Sequence, residues 1–380
     1  MNGRALNIMA FGMMLAATAC VAQSQSPTAP AADLAHARDV VLNVTTLDGR
    51  GDPVTDLTRD DFQIYDDGKP QAIVSFQPGA AKPAAETPPP ATLTLFDLLN
   101  SNNMNRDYVS TFIVRALEPL ETADTVFLFL LTNHGEIYPI HDIPQPQQMA
   151  VLPRVRGAQE PASAPPPPWT RQIHALLDQA IQKVYGIRPV DARDPGYRAA
   201  TTFLALSKLQ EAFVEMPGPK TIVWITSGVT NWPDYPHGCK DMTITEESGT
   251  YVAGKCTSNC RGLAKCIDYA PFLQHFSSEL SRANTLVYTA EDLPSSAMPS
   301  TARGTSWDTL HQLADLTGGR MYTGTNMDNA ITEAMKNARG RYRIAIAAPA
   351  ANGKHHKLRV TCARKDIRVD APRGYFASEQ

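Results

Sequence analysis

Thr226-Ser227-Gly228 follows an apolar run, Thr221 to Ile225, and a serine there could serve as a nucleophile at the end of a strand. A nucleophile elbow needs glycine two residues before the serine, to permit its strained turn, and Ile225 stands in that place. The triplet therefore reads as a polar loop at a sheet edge, with a hydrolase using Ser227 and a loop histidine as the rival. His134 and His141 flank the stretch that leaves the apolar run Val126 to Leu131, close to where a sheet presents ligands, and either could be an ordinary loop residue. His355-His356 could hold a metal, but neighbours in a strand point to opposite faces, so the pair reads as solvated. Cys239, Cys256, Cys260 and Cys266 crowd one segment. In an oxidising compartment they read as two disulfides stapling a loop, of undetermined connectivity. A zinc site completed by His237 is the rival reading. Cys362 stands apart, as a free thiol or a partner for one of the four. No phosphate loop, dinucleotide-binding glycine triplet or zinc-protease helix motif occurs.

The elements that would position these groups fall into two patterns. Val40, Leu42 and Val44 alternate, Phe62 to Tyr65 and Ala72 to Phe76 form further strands, and Asp66-Asp67-Gly68-Lys69 between them is a hairpin turn. This β module, residues 38–77, is too small to stand alone with a core of its own. A Pro-rich linker covers residues 78–91. From residue 92 to 339, apolar strands such as Leu93 to Asp97 and Val126 to Leu131 alternate with amphipathic helices. Near-continuous apolar runs suit strands covered on both faces. Such alternation predicts an α/β fold, a doubly wound and mostly parallel sheet with right-handed crossovers. Insertions at 143–170 (Pro-rich) and 232–268 (Cys-rich) interrupt it, with Trp169, Trp232 and Tyr235 in or beside them as possible anchors for protein contact. Gly318-Gly319 supplies a left-handed helix cap. The tail, 340–377, returns to strands, and the N-terminal module is the obvious surface for them to join.

Arg4 followed by the apolar stretch Ile8 to Ala19 fits a secretory signal peptide over residues 1–22, and residues 23–37 a flexible tether. Cys20 after Ala17-Thr18-Ala19 offers a second reading, a lipid anchor on the exported chain, although Ala17 stands where a lipobox usually has leucine. No later stretch predicts a transmembrane helix. With a net charge of −3 there is no electrostatic footprint for nucleic acid or an anionic membrane.

The ordered fragments Phe96-Asp97-Leu98-Leu99-Asn100-Ser101, Lys220 to Gly228, and Leu313-Ala314-Asp315-Leu316-Thr317-Gly318-Gly319-Arg320 resemble a von Willebrand factor type A domain. More narrowly, Val54-Thr55-Asp56-Leu57, Asp60-Asp61-Phe62, Asp67-Gly68-Lys69-Pro70 and the tail Gly374-Tyr375-Phe376-Ala377 resemble the VWFA-related exported proteins first noted in acidobacteria. The resemblance implies a divalent cation, Mg²⁺, at the carboxyl ends of the strands, where open α/β sheets place ligands. The implied donors are Asp97, Ser101 and Thr201, with Thr202 the lesser candidate for the loop threonine. Leu99 replaces the middle serine of the motif and Ser227-Gly228 stands where many such domains carry Asp-Gly, so this metal site is degenerate. Asp97 reads equally as a helix cap or loop brace. The expectation is an exported, non-catalytic binding or scaffold protein, secreted or in the periplasm and cell envelope, with a protein or cell-surface partner. The rivals are a periplasmic hydrolase and a purely architectural lipoprotein.

Overall fold

The computed structural model describes residues 39–78, 90–101, 106–117, 125–142, 169–184, 195–214, 216–229, 270–291, 300–323, 327–338, 340–349 and 354–377. The chain opens with β1 (Val40–Leu47), β2 (Phe62–Asp66), β3 (Lys69–Gln71) and β4 (Ile73–Gln77). Then come β5 (Ala91–Asp97), helix α1 (Arg106–Leu117), β6 (Val126–Leu131) and β7 (Ile137–His141). Helices α2 (Trp169–Val184) and α3 (Pro195–Val214) lead to β8 (Lys220–Thr226), α4 (Ala270–Arg282) and β9 (Thr285–Glu291). Next are α5 (Ser300–Thr317), β10 (Met321–Tyr322) and α6 (Met327–Ala338). The tail holds β11 (Arg341–Ile346), β12 (His355–Cys362), β13 (Arg368–Asp370) and β14 (Gly374–Phe376).

The protein is mixed α/β. Its central sheet runs β10-β9-β8-β5-β6-β7, parallel throughout except for the β6–β7 pair. Strand alternation sorts the two faces. Leu93 and Leu95 of β5, with Ile222 and Trp224 of β8, meet α3, α4 and α5. Phe96, Val223 and Ile225 face α1, α2 and α6. Because both faces are covered, β5, β6, β8 and β9 are buried along their whole length, which explains their unbroken apolar runs. Gly318 takes φ +87° at the end of α5, and its N–H and that of Gly319 both donate to the Ala314 carbonyl, the predicted left-handed cap.

Two details differ from the sequence reading. The stretch after β6, read as an outgoing loop, is a hairpin, with Gly135 at φ +81° in its turn and Pro139 inside β7. Pro is tolerated there because β7 is an edge strand. The linker also ends one residue earlier than predicted, since Ala91 already pairs with Lys220 of β8.

The remaining strands form two four-stranded sheets, β13-β1-β11-β4 and β14-β12-β2-β3, each mixing N-terminal and C-terminal segments. One core serves both, including Leu42, Val44, Phe62, Ile64, Tyr342, Ile344 and Leu358. Cys362 is a half-buried free thiol against that core. Among the described residues, no helix is long and apolar enough to cross a membrane.

The β module docks on the amino ends of the central strands. The buried Arg341, first residue of β11, donates to the carbonyls of Lys220 (2.7 Å) and Asn284 (2.8 Å) and to the Thr221 hydroxyl (2.6 Å). Arg343 donates to the Arg282 carbonyl at 2.8 Å, where α4 ends. These cations sit where the α4 dipole presents its negative pole. Crowding has a cost at Lys220: burial, then Arg341 and Arg343, pull its pKa down to about 8. Replacing Arg341 with Met takes the guanidinium from three acceptors, of which the Asn284 carbonyl keeps the Lys220 N–H. Arg341→Met is expected to lower stability by about 2–4 kcal/mol in denaturant unfolding, whereas a loss under about 0.5 kcal/mol, the level of ordinary surface substitutions, would show that Arg341 does not tie the two parts together.

Candidate functional site

The β5–β8 pair lies where the strand order of the central sheet reverses, β6 to one side of β5 and β8 to the other. A crevice opens at the carboxyl ends of strands at such a point, which is where ligands of open α/β sheets bind. Asp97 ends β5 there and is 0% exposed. Its Oδ1 accepts the Asn100 N–H at 2.9 Å. Its Oδ2 accepts three donors: Asn100 Nδ2 at 2.7 Å, Thr226 Oγ1 at 2.8 Å and Trp224 Nε1 at 3.3 Å. Asn100 Nδ2 also reaches Thr202 Oγ1 at 2.8 Å. The carboxylate thus joins β5, its following loop, β8 and α3 in one network of uncharged donors. Burial pushes the Asp97 carboxyl above its ordinary range, and the donations from Asn100, Thr226 and Trp224 pull it back.

This arrangement answers the cation expectation residue by residue. Asp97 and Ser101 share the turn after β5, and the Ser101 N–H donates to the Asp97 carbonyl at 3.2 Å. Leu99, the missing ligand, is buried in the core against α3 and α4. The threonine that enters the network is Thr202, fully buried, and not Thr201. Thr201 is half-buried and turns to the β6–β7 hairpin, its Cγ2 so close to Gly135 that a Cβ there would lie at 2.1 Å. One residue along a helix rotates a side chain by about 100°, and only the packing of α3 decides which threonine faces β5. Asn100 enters this network through its amide nitrogen, as a donor. Mg²⁺ binding would need oxygen lone pairs, and Oδ2 already serves three donors.

Ser227 is buried, 5% exposed, and Gly228 beyond it takes φ +91° with its N–H on Thr226 Oγ1. Of the two histidines placed near this edge, only His134 is there, exposed in the hairpin turn. His141 is a correction. It pairs with Leu128, its Nδ1 contacts the Val126 carbonyl and its ring stacks on Phe127, which puts it toward the amino end of β6. Val126 and Leu131 are five residue steps apart in β6, about 16 Å. The second correction concerns His356, read as solvated: its side chain is only 12% exposed, against Asp66 and Asp67. Cys20, the four clustered cysteines, His237, Trp232 and Tyr235 lie outside the described residues, as do the leader, the tether and most of both insertions. Trp169 opens α2.

Sequence reasoning missed Trp224 and Thr226 as partners of Asp97. A tryptophan and a threonine two apart in a strand, both polar-tipped and on the same face, were the available signal.

No family model and no curated protein matches the chain. Solved structures show distant likeness. A mutant of the PilB minor pilin from Streptococcus sanguinis has 12% identity and TM-score 0.33, over 68% of this chain and 62% of that one. The pilus adhesin SpaC from Lactobacillus rhamnosus GG, in an open conformation, has 8% identity and TM-score 0.34, over 85% and 42%. The human COPII-coat protein Sec24c has 10% identity and TM-score 0.28, over 77% and 44%. The chain spans less than two thirds of each, and the site is read from its own geometry.

Asp97 as a brace has a direct signature. Asp97→Ala leaves buried donors on Asn100, Trp224 and Thr226 without an acceptor, and is expected to cost about 3 kcal/mol or more in denaturant unfolding at pH 7. Asp97→Asn keeps the size and one acceptor and costs less, about 1–2 kcal/mol. The sign of the pH effect follows from the raised carboxyl: the folded state binds the proton more tightly, so ionisation costs stability as pH climbs from the unfolded value through the folded one. Wild type should therefore gain on Asp97→Asn as pH falls through that window.

Proposed function

We propose that this chain is an exported binding or scaffold protein built on a von Willebrand factor type A-like domain. It meets a protein or surface partner at the carboxyl edge of its central sheet and turns over no substrate. The observation that carries the reading is the Asp97 network. A buried carboxylate at the switch point holds the loop after β5 in one shape, through neutral donors from β8 and from Asn100. That makes a fixed contact surface out of a loop, which is what a binding edge needs in order to avoid ordering costs on association.

The opposite edge supports the same direction. Arg341 and Arg343 hold the β module against the amino ends of β8 and α4, so the carboxyl edge is the one left for a partner. Against the hydrolase reading stand the burial of Ser227 and the position of His141 toward the other end of β6. The degenerate motif points away from a Mg²⁺-dependent contact, with Asp97 shaping the edge in place of a cation. Export through the N-terminal leader, and anchoring through Cys20 if cleavage retains it, belong to the same proposal. In it the partner is a protein or a surface component of the envelope or the medium.

A photoreactive amino acid at exposed His134 samples the carboxyl edge, and one at exposed Lys365 samples the β module. Crosslinking in the producing cells should give a discrete adduct from position 134 and none from position 365. Equal adducts from both, or none from position 134, would contradict the proposed edge.

A further inference from the structure

A group of metal-ligating side chains lies in the β module, remote in sequence from the Asp97 network and not used by it. β2 ends in a tight turn, with Asp67 at φ +47° and Gly68 at φ +80°. β12 runs antiparallel to β2 with Leu358 opposite Asp66, and this register carries His356 past the strand end to the turn. The His356 Nδ1 lies 3.0 Å from Asp66 Oδ1 and 3.2 Å from Asp67 Oδ2. Each of the three residues offers one ligand atom, and these atoms all lie within 4.8 Å of one another.

We propose that Asp66, Asp67 and His356 form a binding site for a divalent transition-metal ion of the Zn²⁺ class. The spacing fits a coordination polyhedron: donors about 2.1 Å from an ion are separated by about 3.4 Å at tetrahedral angles and about 3.0 Å at right angles. One imidazole nitrogen with two carboxylate oxygens is a donor set that suits Zn²⁺ and its neighbours better than Ca²⁺ or Mg²⁺. Two carboxylates and a neutral imidazole also balance a divalent charge.

Outer contacts aim the donors. The Tyr375 hydroxyl donates to Asp66 Oδ2 at 2.8 Å, and the Lys357 N–H donates to Asp67 Oδ1 at 2.9 Å. Each carboxylate is thereby held by one oxygen with the other turned to His356, the outer-shell pattern that orients metal ligands. The Tyr375 ring stacks on the imidazole, centroids 5.1 Å apart and planes at 24°, which fixes its orientation. Asp66 and His356 are covered, at 8% and 12% side-chain exposure, while Asp67 at 51% leaves a path for the ion and for water to complete its coordination. An ion here would clip the N-terminal hairpin to the C-terminal strands, joining residues 290 apart in sequence. The site stands whether or not the carboxyl edge of the central sheet binds a partner.

The test is calorimetric titration of Zn²⁺ into the exported chain, its free thiols alkylated under native conditions so that cysteines do not compete. Wild type is compared with Asp67→Asn and His356→Gln. Asn tolerates the left-handed turn and keeps an oxygen for the Lys357 N–H, so Asp67→Asn removes a ligand charge and leaves the hairpin intact. Its unchanged unfolding midpoint in EDTA verifies that. The expected result is one Zn²⁺ per chain in wild type, with affinity at least about tenfold weaker in both variants. A Zn²⁺-dependent rise in midpoint should appear in wild type alone. No stoichiometric binding by wild type, or binding by Asp67→Asn as tight as wild type, overturns the site and leaves the three groups as a hydrogen-bonded brace.

Discussion

A carboxylate with no exposed surface must be satisfied by its neighbours or it will not stay ionised, and much of this protein's central sheet is arranged around that constraint at Asp97. Trp224 and Thr226 stand on β8 at positions that bring an indole N–H and a hydroxyl to the same oxygen. Asn100 closes the turn after β5 with its backbone and its side chain, then passes the network on to Thr202 in α3. Each donor is neutral, so the negative charge is solvated by dipoles without a counterion. Removing the acceptor therefore disturbs three elements together, and the shape of the edge depends on it.

The other end of the sheet is held by the opposite charge. Arg341 is buried with no carboxylate partner among the described residues, and it is satisfied by carbonyls at the start of β8 and after α4. The same strand that carries it, β11, pairs with β1 and β4, so the guanidinium joins the central sheet to a module woven from both ends of the chain. Gly318 makes the approach close: a Cβ there would lie 2.6 Å from the Asn43 carbonyl. The β module thus covers the amino ends of the sheet, and the Asp97 turn, the β6–β7 turn and Ser227-Gly228 lie at its carboxyl ends.

Much of the fold was legible from local pattern. The near-continuous apolar runs predicted strands covered on both faces, and in β5 Leu93 and Leu95 pack on one helix layer while Phe96 packs on the other. The Asp-Gly hairpin turn and the glycine cap of α5 were equally local. What escaped depends on tertiary placement. Whether Thr201 or Thr202 faces β5 is a matter of helix rotation. β7 was hidden because it is short, carries a proline and lies at an edge. That Asn100 would use its nitrogen follows from Asp97 already being the acceptor, which no spacing reveals. His356 reads as an exposed strand residue until β12 is laid beside β2 in its actual register, 290 residues from its partner. Asp97 and Ser101 thus share the turn after β5, as their spacing implied, while the donors from β8 and α3 around Asp97 come only with tertiary placement.

In the proposed function Asp97 shapes the carboxyl edge as a dipole-solvated brace, with no cation at the switch point. Thermal unfolding of the protein in EDTA and in millimolar Mg²⁺, with wild type beside Asp97→Asn, separates the brace from a cation site, because an ion bound only by the folded state must raise the midpoint by mass action. The brace gives the same midpoint in both solutions for both proteins, with Asp97→Asn lower throughout. A Mg²⁺-dependent rise in wild type that disappears in Asp97→Asn would contradict it and restore a cation at the switch point.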